Sequence, residues 1–567
     1  MISYHQLIGS SDKVGEMTDA SYDAVVVGGG HHGTIIACYL AKAGLKVAVL
    51  DGHTALGGAA GSEEGPAPGF RQNFCAHFTR FYGHPAYQDF NLRDEGLEYV
   101  FPEQNEGMIF EDGSSFIGYS AFRVSDPLTG KTEYAPDNVA KTYEQIRRFS
   151  QRDADTYATL VEQYRLHWKQ AFHKHRFTAP PPWGTPDALE ELMTIPGSGI
   201  EPVHQFMSVR QLAYDYFESP ELRTLFMRAT PTSGGCFPDD PMGLQSLVHV
   251  MGLVLSFEPA AIAKGGTQAI TDALVSAGRK LGVEYFTAHE VDRILVVHGR
   301  AAGVELADGS RISAPLVVSD LGVSQTFLRL LRDEPIADRI HHRIRNIHYD
   351  RGQILWGNVA VHELPHYKAD ELNEGVGIQP RLYTGAKDPD YLATKYQHEI
   401  FVLGLPQQLY VLTAPDSIWD RTRAPESKHT VLIEEFTAPA RLFSAREWGQ
   451  LKEDLTARWL DQWRVYAPNM TRDNVIAVRL YSPYDVEASH PDMIQGGWTE
   501  GAMFASQLGR FRPFPELSGY RTPIENLYMC SSSLHSAAGI GRGSSYIAYN
   551  VIAEDRGLGP LVSEQAG

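Results

Sequence analysis

Residues 25 to 33 read Val-Val-Val-Gly-Gly-Gly-His-His-Gly, and their chemistry is that of holding a dinucleotide diphosphate. A strand that feeds a glycine-rich turn and then a helix presents backbone amides and a positive dipole end to an anion. Gly28 permits the tight turn, Gly30 lets the backbone approach the phosphates, and Gly33 lets the helix pack closely on the strand. Asp51 follows eighteen residues beyond Gly33. There a carboxylate meets ribose hydroxyls and repels the extra phosphate of NADP. His31 and His32 read as loop-packing residues beside the diphosphate rather than as catalysts.

A second glycine cluster, Gly57-Gly58-Ala59-Ala60-Gly61, lets the chain run close under a long cofactor, which favours FAD. The stretch from Gly65 to Gly83 is rich in Pro, Gly and aromatic residues and lacks the alternating period of an NAD dehydrogenase. Near the other end, Leu527 to Cys530 reads as a strand. Gly539, Gly541 and Gly543 then relax the backbone before a helix from Ser544 to Asp555. That helix start, with Gly541, Arg542 and Gly543, would face the flavin N1/C2 carbonyl and stabilise the charge of the reduced ring. His535 has two readings: a catalytic residue that positions substrate or assists proton transfer, or a histidine that hydrogen-bonds its own loop.

The elements that position these residues follow from pattern. Asp23 to Val27 and Lys46 to Leu50 read as buried strands flanking a helix from Thr34 to Ala43. Asp137 to Phe177 has helical period, with a restart at Ser150 whose Asp153 suggests a capping box. Ser208 with Gln211, and Ser219-Pro220-Glu221, mark further helix starts. Ile270 to Leu281 is a helix. Val291 to Val297, Ala301 to Leu306 and Ser310 to Ile312 form a meander turning at His298-Gly299 and Asp308-Gly309, and Leu316 to Ser319 returns as a buried strand. Gln353 to Val361, Gln408 to Thr413 and Thr430 to Thr437 are strand-like beside a helix from Ala445 to Tyr466. The expected fold class is α/β: a discontinuous Rossmann-like FAD-binding domain (21–130, 261–345 and 491–567), a helical insertion (131–260), a mixed α+β substrate domain (346–490) and a loose arm (1–20).

Composition narrows the partners. At 567 residues more than one core is expected, and 50 Lys plus Arg against 69 Asp plus Glu give a net charge of −19, which argues against nucleic acid. Four scattered cysteines indicate a reducing compartment, and the histidines lack zinc-ligand spacing, so no metal is expected. Leu244 to Phe257 is too polar to span a membrane and reads as a core helix or tunnel wall. A cytoplasmic location follows, with a peripheral membrane contact and a homo-oligomer left open. Trp168, Phe172, Trp183, His249 and Leu253 are candidate substrate walls by spacing and hydrophobicity.

With the turn, Asp51 and Gly57-Gly58 in place, the chain resembles the flavin amine oxidase and phytoene desaturase superfamily. Within it, the likeness is to the carotenoid-desaturase-like branch that includes retinol saturase and pyridine nucleotide-disulphide oxidoreductase domain-containing protein 2. Val26 to Gly33, Leu50 to Phe70, Gly265 to Leu274, Val291 to Ser319 and the tail from Phe511 to Gly543 carry the likeness. It implies FAD contacts at Ser319 and at Val291, whose backbone would meet the adenine. Two stretches depart from it: Gly52-His53 where relatives have arginines, and His535-Ser536-Ala537-Ala538-Gly539 where carotenoid-type members read His-Pro-Gly-Gly-Gly. The function implied is hydride transfer from an apolar allylic or aliphatic carbon, or from a small aromatic substrate, to flavin N5, with oxygen or a quinone as electron acceptor. Alternatives are a reduced-FAD saturase or polyene isomerase, and a flavin-binding scaffold without catalysis.

Overall fold

Short, wholly apolar strands need cover on both faces, and a parallel sheet between helices supplies it. Ala24–Val27 and Val47–Leu50 are buried at every position. They lie in a five-stranded parallel sheet in the order Glu284–Phe286, Val47–Leu50, Ala24–Val27, Val317–Ser319, Leu527–Met529. The helix His31–Lys42 packs against Gln268–Lys280 and Ser544–Arg556, so both ends of the chain and its middle build one domain. The computed structural model describes residues 20–234, 236–244, 251–252, 254–349, 353–403, 405–407, 410–537 and 539–559. Of the expected arm, only residue 20 falls among them, where Ala20–Ser21 pairs in parallel with Arg311–Ser313.

The meander is Val291–Val297, Arg300–Leu306 and Arg311–Ser313, antiparallel throughout. Its first turn has positive φ at both His298 (52°) and Gly299 (79°), the conformation that matches strand twist in a two-residue hairpin.

A second, seven-stranded sheet has the order Val475–Tyr481, Gln353–Val361, His429–Thr437, Leu412–Ala414, Arg381–Gly385, Gln104–Phe110, Ser115–Tyr119. The last two strands come from the stretch assigned by sequence to the FAD domain. They belong to this sheet because Gln104–Phe110 pairs in parallel with Arg381–Gly385. Side chains alternate across the sheet. Val431, Ile433, Leu355 and Leu382 pack against Trp448, Trp459 and Trp463 of the helix Ala445–Tyr466. Leu432 and Tyr383 turn to the other face, into a core shared with the helical insertion. That alternation carries Trp356, Arg381 and Glu434 away from the tryptophan helix.

In the insertion, Ser150 caps Gln151–Gln163 by accepting from Asp153 N. The reciprocal half of the expected box is absent: the Asp153 carboxylate accepts from Glu218 N, Ser219 N and Ser219 Oγ instead, tying this helix to the start of Pro220–Gly234. Ser208 and Gln211 do form a full capping box. Among the described residues no helix is long and apolar enough to cross a membrane, and no group of His, Cys, Asp or Glu is arranged to hold a metal. All four cysteines are buried.

Candidate active site

One cavity of about 720 Å³ runs from the glycine turn to the helical insertion, between the two sheets. At the turn, a Cβ on Gly33 would lie 2.1 Å from the carbonyl oxygen of Gly28, and one on Gly30 2.8 Å from Asp320 Oδ2. Only glycine lets strand and helix approach so closely. Gly30 at the N-cap of His31–Lys42 has no side chain to cap it, and Asp320 Oδ2 takes the Gly33 N–H of the first turn, which leaves the His31 and His32 amides to meet an anion. Gly57, Gly58 and Ala59 line the cavity opposite, and Gly57 bridges to Gly30. Asp51 also lines it. Its Oδ2 accepts from Gly29 N at 2.7 Å and its Oδ1 from His53 N at 2.7 Å. Carboxylate oxygens have further lone pairs, so ribose hydroxyls can still be accepted. The hydrogen bond that the His53 ring donates to Asp51 raises its imidazole to about 9, and His53 Nε2 meets Ser489 O at 3.0 Å. His53 thus joins the second strand to the 489–492 loop, at the place where an arginine pair was missing. An arginine does reach this end from elsewhere: Arg329 donates to Glu290 Oε1 (3.0 Å) and to Val291 O (3.2 Å).

The far end is built by the C-terminal loop and the substrate sheet. Gly539, Ile540, Gly541 and Arg542 line it, facing Arg80, Tyr164, Phe172, Arg176 and Glu258. Trp356, Arg381 and Glu434 look in from the sheet, and His77 Nδ1 lies 3.5 Å from Glu434 Oε1. Both members of that pair are buried. A groove with a glycine-rich helix start at one end, the Asp51 carboxylate beside it and cationic groups at the other end fits FAD. Bound there, the diphosphate would lie on the 28–33 turn and the ring near residues 539–542.

The stretch 26–90 matches the model of the NAD(P)-binding Rossmann-like domain. A limonene dehydrogenase polypeptide from Castellaniella defragrans is 27% identical, over 94% of this chain and 95% of its own length. Pyridine nucleotide-disulfide oxidoreductase domain-containing protein 2 from Rattus norvegicus is 27% identical, over 93% of both chains. Phytoene desaturase from Fusarium fujikuroi is 28% identical, over 58% of this chain and 54% of its own. Among solved structures, an oxidoreductase from Methanosarcina mazei has the same fold, with a TM-score of 0.57 at 16% identity, over 94% of this chain and 99% of that one. This chain is thus similar over nearly its whole length to oxidoreductases of the dehydrogenase type, and over part of it to a desaturase.

The structure places most of the expected cofactor residues of this oxidoreductase on the cavity: Gly28, Gly30, His31, His32, Asp51, Gly57, Gly58, Ala59, Val291, Gly541 and Arg542. Gly33 acts from behind, through packing and a 2.8 Å bond from its N–H to Asp320 Oδ2. Ser319 is fully buried against Thr326 Oγ1 at 2.8 Å and does not line the cavity; its neighbour Asp320 does. Gly543 heads the terminal helix, but its N–H is taken by Ser536 Oγ at 2.9 Å. His535 lies outside the lining, 1% exposed, with Nε2 bonded to His175 O at 2.7 Å. Burial holds its imidazole well below the usual histidine range. His31 and His32 are likewise lowered by burial, His31 to about 4.

Of the expected substrate walls, Phe172 lines the cavity. Trp168 does not: it is wholly buried in the helical core, its Nε1 donating to Ser198 O at 2.6 Å. Trp183 is 81% exposed beside Phe511. His249 and Leu253 lie outside the described residues. Asp320, Arg329, Asp492, Arg80, Arg176 and Glu434 were missed. Asp320 directly follows a strand recognised from the sequence, and position alone could have marked it. The others arrive by tertiary packing.

Proposed function

We propose that this oxidoreductase dehydrogenates a largely apolar substrate, taking hydride from an allylic or aliphatic carbon. Bound FAD would supply N5 as the hydride acceptor. The observation that carries this is the continuity of the cavity: the cofactor groove opens without a partition onto the sheet face that presents Trp356, Arg381 and Glu434. The chain's own residues bind and orient. The 28–33 turn holds the diphosphate, Asp51 the ribose, and Phe172 with Trp356 excludes water from the reacting carbon. Dehydrogenation releases a proton as well as a hydride, and the Glu434 carboxylate beside His77 is positioned to take it. A single dinucleotide turn argues against an internal NAD(P)H site, so oxygen or a quinone reoxidises the flavin. Cysteines buried far apart in the sequence, with no disulfide framework, suit a cytoplasmic setting.

The test is direct. Purified protein should carry FAD, released by acid and identified by chromatography, and apolar donors should bleach it without oxygen. Protein that neither carries nor takes up flavin ends this reading. If photoreduced protein is instead reoxidised anaerobically by a polyene, the direction is saturation.

A further inference from the structure

Three arginines from distant stretches of chain meet at the insertion end of the cavity. Arg80 lies beyond the strand Arg71–Asn73, Arg176 in the last turn of Lys169–Phe177, and Arg542 just before Ser544–Arg556. Two glycines bring them together. A Cβ on Gly541 would meet Phe81 N at 3.2 Å and Arg80 C at 3.3 Å, while one on Gly543 would lie 2.1 Å from the Arg176 carbonyl oxygen. Arg542 stands between these glycines, so it is held between the main chains that carry the other two.

Gathering like charges in a half-dry pocket is unfavourable without a counter-charge. Burial, then the fields of Arg176 and Arg80, pull the Arg542 guanidinium down to about 9. Glu258, the carboxylate beside them, is already engaged: it pairs with Lys169 at 3.2 Å and accepts from Tyr164 Oη at 2.7 Å. Arg80 donates to a backbone carbonyl, Glu258 O, at 3.1 Å, which neutralises nothing. Arg176 lies over the Phe172 ring at 4.6 Å, and its Nε has no hydrogen-bond partner. The pocket thus sets the unpartnered Arg176 Nε–H beside an aromatic wall.

We propose that this end is a subsite for the carboxylate of the substrate, so that the substrate is an organic acid with an apolar body extending toward the flavin. The inference rests on the flavin reading above. Guanidinium groups bind carboxylates through paired N–H donors, and Phe172 covers the adjoining carbon chain. Cofactor anion is the competing occupant. The diphosphate, however, has its own cradle at the 28–33 turn, whereas Tyr164, Phe172 and Arg176 belong to the helical insertion.

Holoprotein titrated at pH 7 with benzoate, cinnamate and decanoate, and with the matching neutral amides, distinguishes the two by the flavin absorbance difference. The carboxylates should perturb the spectrum saturably, at least tenfold more tightly than the amides. Arg176→Gln should weaken carboxylates tenfold or more with unchanged FAD content, and Arg176→Lys should recover part of that affinity; circular dichroism checks that both variants fold. The proposal is overturned if acids and amides bind alike, or if Arg176→Gln loses FAD while carboxylates leave the wild-type spectrum unchanged. Wild-type protein lacking flavin would instead sink the parent reading, and calorimetry of the same acids against amides on that protein would still decide the subsite.

Discussion

Gly33 and His535 stand at opposite ends of what a single side chain does here. With its Cβ position 2.1 Å from the Gly28 carbonyl oxygen, Gly33 cannot become alanine unless the strand and helix part. Separation of the two misplaces the amides that meet the diphosphate. Gly33→Ala is therefore expected to lower FAD occupancy at least tenfold, read as flavin absorbance per protein, with the fold retained by circular dichroism. His535 has the reverse character. It is buried off the cavity and holds the insertion to the C-terminal loop through His175 O. A buried acceptor that loses its partner, here the His175 carbonyl, costs about 1–3 kcal/mol. His535→Ala should lower the unfolding midpoint by several degrees, while the anaerobic bleaching rate per bound flavin stays within about threefold of wild type. A thousandfold slower rate with unchanged stability would make His535 catalytic after all.

Secondary structure carried much of the site into view from the sequence, and what it left out has one physical cause. Local pattern identified the strand at 24–27, the helix at Ala445–Tyr466 and the hairpin at His298-Gly299, because periodicity, capping and turn chemistry are properties of neighbouring residues. The stretch 104–119 was placed by sequence with the FAD-binding part (21–130), and its pairing with Arg381–Gly385 went unseen, since strand pairing across hundreds of residues leaves no local mark. Arg80, Arg176 and Glu434 escaped for the same reason. Trp168 was misread as a ligand wall because an aromatic stripe on a helix looks the same whether it faces a core or a cavity. The helix Ala445–Tyr466 shows how such an element serves the site at a distance. Trp448, Trp459 and Trp463 fill one face of the sheet, and strand alternation then sends Glu434 and Trp356 to the other. Trp459 is 2% exposed, and truncating a buried aromatic typically costs about 3–5 kcal/mol. Trp459→Ala should show that loss in a denaturant titration, and should broaden the substrate dependence of flavin bleaching as the sheet face loosens.

At the scale of the whole molecule, three acidic side chains from two distant segments converge on the cofactor groove: Asp320, and Asp492 with Glu500. Desolvation is the leading cause that raises all three. Asp492 stands at about 6, raised further by Asp51, and Asp320 and Glu500 are well above the usual carboxylate range, each raised further by Asp492. Arg329 and His53 temper Asp492, and Arg512 tempers Glu500, without reversing the direction. The folded protein therefore keeps protons that the unfolded chain releases near pH 4. The resulting stability is complete below about pH 4 and is lost as pH rises through the folded-state values, near 6 for Asp492 and higher for the other two. A bound diphosphate adds negative charge beside Asp320, which sits at the helix start that must receive it. Neutral carboxyls accept that neighbour; ionised ones repel it. FAD binding to apo-protein, followed by fluorescence quenching, should weaken by about tenfold or more between pH 6 and pH 8.5. Asp320→Asn, which stays neutral and keeps an oxygen for the Gly33 N–H, should bind more tightly at pH 8.5 and flatten the profile. An affinity independent of pH in the wild type, or an unchanged slope in Asp320→Asn, would mean that these protons are not linked to the cofactor.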